Sequence, residues 1–200
     1  MSNPLIDKNH PLILASASPR RSQLLEQIGL PFTVIPSYIE EEDDDSDPVG
    51  STLLLAEHKA KTVFQKRKRQ WILGADTVVV IEKEILGQPG NRDEARYMLR
   101  RLSGQTHDVI TGFCILNPIG RVVHSEAVTT IVEFKELEAG EIEAYVTTGE
   151  PFGKAGAYAI QGIGGFMVKC IQGSYTNVVG LPICPLVTAL KRIKAIASFP

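Results

Sequence analysis

Cysteine is scarce in this 200-residue chain, with only Cys114, Cys170 and Cys184, odd in number, far apart and flanked by apolar residues. That spacing supports neither a disulfide framework nor a zinc knuckle, and it fits a reducing compartment. Net charge is nearly absent too. The 21 Lys and Arg against 23 Asp and Glu leave a formal −2, which argues against a protein that relies on the sequence-independent phosphate attraction of DNA or RNA. Long hydrophobic runs are missing. Near the N-terminus the longest is Leu12 to Ala15, far short of a signal segment, and no window approaches a membrane span. The expected location is therefore the cytoplasm, with neither membrane nor nucleic acid as partner. His58, His107 and His124 lack ligand spacing to one another and no Gly-x-Ser-x-Gly elbow occurs, so covalent catalysis is not expected.

What the chain does contain is an ordinary globular composition, 44% hydrophobic, long enough for one domain over residues 1–200, with residues 1–10 as a loose extension. Residues 11–16 form an apolar run suited to a buried strand. Ser18 then stands as N-cap with Pro19 at the first helical position, Leu24, Leu25 and Ile28 as the apolar stripe and Gly29 as the stop. A second strand over residues 32–35 runs into an acidic stretch from Glu40 to Asp47. Residues 52–69 carry a helical pattern, and "WILGADTVVVI" reads as a strand pair or one bent strand buried on both faces. A helix capped by Asn91, strands at 107–116 and 121–134, a helix at 138–147, a strand near 166–171 and a closing helix at 186–196 complete an α/β alternation with a mixed sheet.

Several polar residues stand out against this frame. Arg20 and Arg21 fall in the first turn of a helix, where each positive charge costs roughly 0.3–1 kcal/mol against the macrodipole unless an anion compensates. With the Ser16 and Ser18 hydroxyls and the helix N–H groups they form a phosphate cradle, or else they point into water or pair with the acidic stretch. Asp76 follows an apolar run, as a metal ligand, a general base or a satisfied turn aspartate. Lys59 lies beside the apolar stripe of its helix, either snorkelling outward or aimed at a fixed anion. Glu40 or Glu41 completes a hard-metal site with Asp76 or belongs to a solvated loop. "GEPFGKAGAYAIQG" offers small residues with Lys154 and Gln161 as donors. Its resemblance to a phosphate-binding Walker loop fails, because the spacing is one residue short and Ala155 replaces the Ser or Thr.

Taken in order, "LASASPRRSQLLEQIGLPF", "LAEHKA", "LGADTVV", "ILGQP", "EARYMLRRLSGQTHDVITG" and "GEPFGKAGAYAIQGIGGFMVKCIQGSYTNVVGLPI" resemble the Maf family of nucleoside triphosphate pyrophosphatases. The resemblance implies an elongated α/β fold with a central mixed sheet and a cleft between two lobes, in a homodimer. It implies hydrolysis of a nucleoside triphosphate to the monophosphate and pyrophosphate with a divalent cation, Mg²⁺ or Mn²⁺. By motif, Asp76 is similar to the proton acceptor near the metal, Glu41 to a metal-side carboxylate, and Ser16, Arg20, Arg21 and Lys59 to triphosphate contacts. "KAGAYAIQG" is similar to the dTTP and UTP branch. The branch for 7-methylguanosine triphosphate has Cys and Glu where this chain has Lys154 and Gln161. Arg20, Thr77 and Gln161 match positions associated with substrate choice, and the implied cellular roles are nucleotide-pool cleansing and cell division arrest. A non-catalytic nucleotide sensor or a nucleic-acid-binding relative is the alternative. Two residues depart from the family pattern: Gln88 stands where Lys is usual, and Gly153 where Asp is usual.

Overall fold

The computed structural model describes residues 4–37 and 47–198. The apolar run expected at 11–16 forms a short strand, β1 (Leu12–Leu14), buried throughout. It leads into α1 (Pro19–Gln27), with Pro19 at its start, and Gly29 beyond its end takes φ +67°, the left-handed turn that stops the helix. Ser18 holds the N-cap position, but its side chain caps nothing. The chain then returns as β2 (Phe32–Val34) and, after the acidic stretch, forms α2 (Pro48–Lys66). That helix begins before the expected Thr52 because the Asp47 carboxylate accepts from the Gly50 N–H at 2.9 Å.

"WILGADTVVVI" becomes one strand, β3 (Ile72–Ile81), and a tight turn at Glu82 and Lys83 folds it back into β4 (Glu84–Leu86). Next come α3 (Arg92–Leu102), capped by Asn91 as expected, β5 (Thr106–Leu116), β6 (Val122–Phe134) and α4 (Ala139–Thr147). Two 3₁₀ turns, Ala155–Ala157 and Ile163–Met167, precede β7 (Val168–Gln172). The chain closes with α5 (Tyr175–Val179), a helix the sequence did not signal, and α6 (Ile183–Arg192).

The strands form a mixed seven-stranded sheet in the order β2-β1-β3-β5-β6-β7, with β4 paired to β3. β1 is parallel to both β2 and β3, while β3 and β4, like β6 and β7, are antiparallel. Contacts divide the chain into two compact units, here taken for their described residues. One comprises Met1–Asp76, Thr111–Val128 and Gly180–Pro200; the other comprises Thr77–Ile110 and Thr129–Val179.

In the first unit a core cluster includes Ile13, Ala15, Ala56, Ala60, Val63, Ile72, Cys114 and Leu116. Two glycines let α2 lie directly on the sheet. A Cβ on Gly74 would stand 2.0 Å from the Ala56 carbonyl oxygen, and one on Gly112 would stand 2.7 Å from the Thr52 carbonyl. Pro4 and Ile6 are tied down here as well: Trp71 Nε1 donates to the Pro4 carbonyl at 2.7 Å and the Ile6 N–H to the Ala195 carbonyl at 2.8 Å. In the second unit α3, α4 and the 3₁₀ segments cover a cluster that includes Leu99, Val132, Phe134, Tyr145 and Tyr158. Buried against the rings of Phe134 and Tyr158, His107 shares a 2.9 Å hydrogen bond with the Tyr158 hydroxyl.

Candidate active site

In the first unit the chain leaves β1 toward β2 on one side, while β3 lies on the other. The carboxyl end of β1 and the stretch of β3 that runs past it therefore flank a topological switch point, where open α/β sheets bind their ligands. Ser16 follows the carboxyl end of β1. The register Leu14↔Leu73 carries β3 on to Asp76 at that same end.

Ser16 is buried, and its Oγ accepts from the Ser18 N–H at 3.2 Å and from Arg21 Nη1 at 3.0 Å. Arg21 Nε donates to the Gly180 carbonyl at 2.8 Å. Gly180 takes φ +117°, a backbone conformation that a side chain would disfavour. Arg21 is thus held inside the protein at both ends of its guanidinium, in a first helical turn that contains no acidic residue. Arg20 stands half-buried in the same turn. Of the two arginines that looked alike in sequence, Arg21 is locked to Ser16 and Gly180, and Arg20 is the more accessible.

Asp76 lies inside β3 rather than after it, a correction to the sequence reading, and its carboxylate is buried. Lys59 does not snorkel outward. Its Nζ donates to Asp76 Oδ1 at 2.6 Å, with both side chains nearly excluded from solvent. The close seating of α2 on Gly74 makes this possible, since Ala56 and Ala60 bracket Lys59 on the helix and both touch the space a Cβ at 74 would fill. Sequence reasoning missed Gly74 and Gly180. A glycine interrupting an apolar strand was the available signal for the first; nothing local marked the second.

Thr77, next along β3, is half-buried and belongs to the second unit, as do Lys154 and Gln161. Lys154 donates to the Phe152 carbonyl at 3.3 Å, and the Gln161 side chain is exposed in the turn before the Ile163–Met167 segment. Gln88 and Gly153 prove to be neighbours: Gln88 Oε1 lies 4.0 Å from where a Cβ on Gly153 would stand. Glu41, the expected metal-side carboxylate, lies outside the described residues, and among the described residues no group of three or more His, Cys, Asp or Glu could hold a metal.

A mixed α/β sheet with basic side chains and one buried carboxylate at a switch point between parallel strands is the class these features define. Within it, a family model described as Maf-like protein matches residues 11–193, and the chain belongs to that family. It is 47% identical over 196 residues to a dTTP/UTP pyrophosphatase of Syntrophotalea carbinolica, covering 96% of this chain and 89% of that protein. A dTTP/UTP pyrophosphatase of Geobacter sp. (strain M21) is 49% identical over 96% of this chain and all of its own length. One from Halalkalibacterium halodurans is 51% identical over 90% of this chain and 95% of its own.

Proposed function

We propose that this chain hydrolyses dTTP and UTP to the monophosphate and pyrophosphate. The observation that carries the reading is that the Ser16–Arg21 pair just beyond β1 and the Lys59–Asp76 pair on the neighbouring stretch of β3 lie at the end of the sheet where β1 stops. The names of relatives at 47%, 49% and 51% identity supply the substrate.

The triphosphate carries the negative charge that the acid-free first turn of α1 lacks, and it accepts from Arg20 and the helix N–H groups. Arg21 and Ser16, fixed to each other and to Gly180, preorganise that cradle, so little reorganisation accompanies binding. Lys59 exchanges its bond to Asp76 for a bond to phosphate, which releases the carboxylate to take a proton from the attacking water. Thr77, Lys154 and Gln161 act on the base. An amide offers both a donor and an acceptor to uracil or thymine, whereas a carboxylate would repel their carbonyl oxygens.

A divalent cation, Mg²⁺ or Mn²⁺, fits this donor set. Mg²⁺ is usually held by one or two carboxylates together with substrate phosphates; Asp76 and Glu41 would supply the carboxylates, and the ion would neutralise phosphate charge when bound. The same reading takes the working form as a cytoplasmic homodimer, and sedimentation velocity checks the dimer.

Pyrophosphate release from a panel of pyrimidine and purine triphosphates, with Mg²⁺ or Mn²⁺ and with Asp76→Asn as control, tests the proposal. Release from dTTP and UTP that Asp76→Asn abolishes is the expected result. Silence on every pyrimidine triphosphate overturns the substrate, and equal turnover by Asp76→Asn overturns the role of Asp76.

A further inference from the structure

The Gly-rich segment of the second unit contains an acid that the scheme above does not use. Glu150 follows α4, and its backbone N–H is pinned to Thr148 Oγ1 at 3.1 Å. Its carboxylate accepts three hydrogen bonds. Oε1 takes one from the Tyr145 hydroxyl at 2.9 Å and one from the Gly164 N–H at 2.9 Å, and Oε2 takes one from the Ile163 N–H at 3.0 Å. Tyr145, itself buried, also accepts from the Ala159 N–H at 3.3 Å. One carboxylate and one phenol therefore hold both sides of the turn from Ala159 to Gly164. Gln161 lies in the middle of that turn.

The glycines of the turn are fitted to this clamp. A Cβ on Gly162 would stand 2.3 Å from Glu150 Oε2, and one on Gly164 would stand 2.6 Å from the Tyr145 hydroxyl. No side chain in L-configuration fits at either place without moving a member of the clamp. The Gln161 side chain is exposed, so its direction depends on the backbone beneath it. That backbone is set by the Gly162 N–H bond to the Ala159 carbonyl at 3.2 Å and, two residues beyond Gln161, by the Ile163 N–H bond to the Glu150 carboxylate. Burial pushes the Glu150 carboxyl pKa upward, but the Gly164 and Ile163 N–H groups, the Tyr145 hydroxyl and the nearby Lys154 charge outweigh it and leave it below the usual carboxylate value. The clamp thus works in its ionised form, with charge-assisted bonds stronger than neutral ones.

We propose that Glu150 is a positioning residue for base selection: by fixing the Ala159–Gly164 turn through the Ile163 and Gly164 N–H groups and Tyr145, it sets where Gln161 meets the base. The inference rests on the reading of Gln161 as a base-recognising residue. Glutamine at 150 would keep the size of the side chain but only one acceptor oxygen. Its amide group would then face a backbone N–H, donor against donor, and the turn would shift.

Binding, not turnover, tests this, so the result stands apart from the hydrolytic reading. Calorimetry with the α,β-methylene analogues of dTTP and dGTP, and with inorganic tripolyphosphate, is carried out on wild type, Glu150→Gln, Gln161→Ala and the double variant. Glu150→Gln is expected to lower the preference for the thymine over the guanine analogue by about 10-fold, the factor carried by one misplaced hydrogen bond. Tripolyphosphate affinity should stay within about twofold, and the double variant should be no less selective than Gln161→Ala alone, since residues acting through one another do not add. An unchanged preference, an additive loss, an equal loss of tripolyphosphate binding or a wild type without base preference overturns the proposal. Should Glu150→Gln fail to fold, Tyr145→Phe removes the donor to Glu150 and the acceptor for the Ala159 N–H while leaving the carboxylate in place; a drop in the same preference supports the clamp, and no drop overturns it. Absence of pyrophosphate release by wild type, with analogue preference intact, overturns the hydrolytic reading and leaves the clamp standing.

Discussion

Lys59 and Asp76 bring opposite charges into a space nearly closed to water, 2.6 Å apart. Removing one partner from such a pair strands the other charge, at a cost of about 3–5 kcal/mol, whereas replacing both with apolar groups of similar size is often neutral. Asp76→Asn is therefore expected to lose about 3 kcal/mol of unfolding free energy as well as turnover. The double variant Lys59→Met, Asp76→Val should recover most of that stability in urea denaturation while releasing no pyrophosphate. Recovery of stability without activity separates the structural from the chemical role of the pair. The two departures from the family pattern form a second residue-scale test, because Gln88 and the space beside Gly153 adjoin. Gln88→Lys and Gly153→Asp made together should lower the KM for dTTP more than the product of the two single effects, since the new charges would meet; aspartate tolerates the φ of +71° at position 153 better than most residues. Multiplicative effects in steady-state kinetics would count against that contact.

At the scale of elements, the site depends on how closely α2 approaches β3. Gly74→Ala would drive a methyl into the Ala56 carbonyl, and a shift of the helix backbone is the only relief. The expected cost is about 3 kcal/mol, the upper end for overpacking, with a further loss of pyrophosphate release as Lys59 moves away from Asp76. Gly87→Ala is the control, because a Cβ there meets nothing within 4 Å. Thermal denaturation and activity measured together distinguish a local disturbance from a displaced helix. Most elements were legible in the sequence: the Ser-Pro start and Gly stop of α1, the Asn91 cap of α3 and the Val-rich and Thr-rich β6 all carry local signals. The hairpin between β3 and β4 was not. Its turn residues, Glu82 and Lys83, both take positive φ, at 49° and 78°, without the Asn or Gly that usually announces such a turn. Nor was α5, whose five residues include β-formers; buried Asn177 anchors it by donating to the Val109 carbonyl at 2.9 Å and to Thr130 Oγ1 at 3.0 Å.

At the scale of the whole molecule, stability should respond to pH through a residue with no part in the proposed chemistry. Burial pushes the His107 imidazole down to about 4 from an ordinary 6.5. The unfolded chain therefore binds a proton between those values that the folded chain refuses, and this contribution to stability is complete above pH 6.5 and is lost as pH falls toward about 4. The loss should be on the order of 3 kcal/mol, and His107→Phe should flatten the slope of urea-unfolding free energy between about pH 5 and 7, above the range where most carboxylates titrate. The sequence by itself determined the family through long motifs in order, the type of most elements through local patterning and caps, and the residue types needed for a triphosphate. Only the tertiary structure decided that Arg21 belongs to Ser16 and to a carbonyl 159 residues away, that Lys59 is held by Asp76, and that Glu150 lies beneath the Gln161 turn. These are pairings between distant segments, fixed by strand order and by glycines that let backbones touch, and no local pattern encodes them.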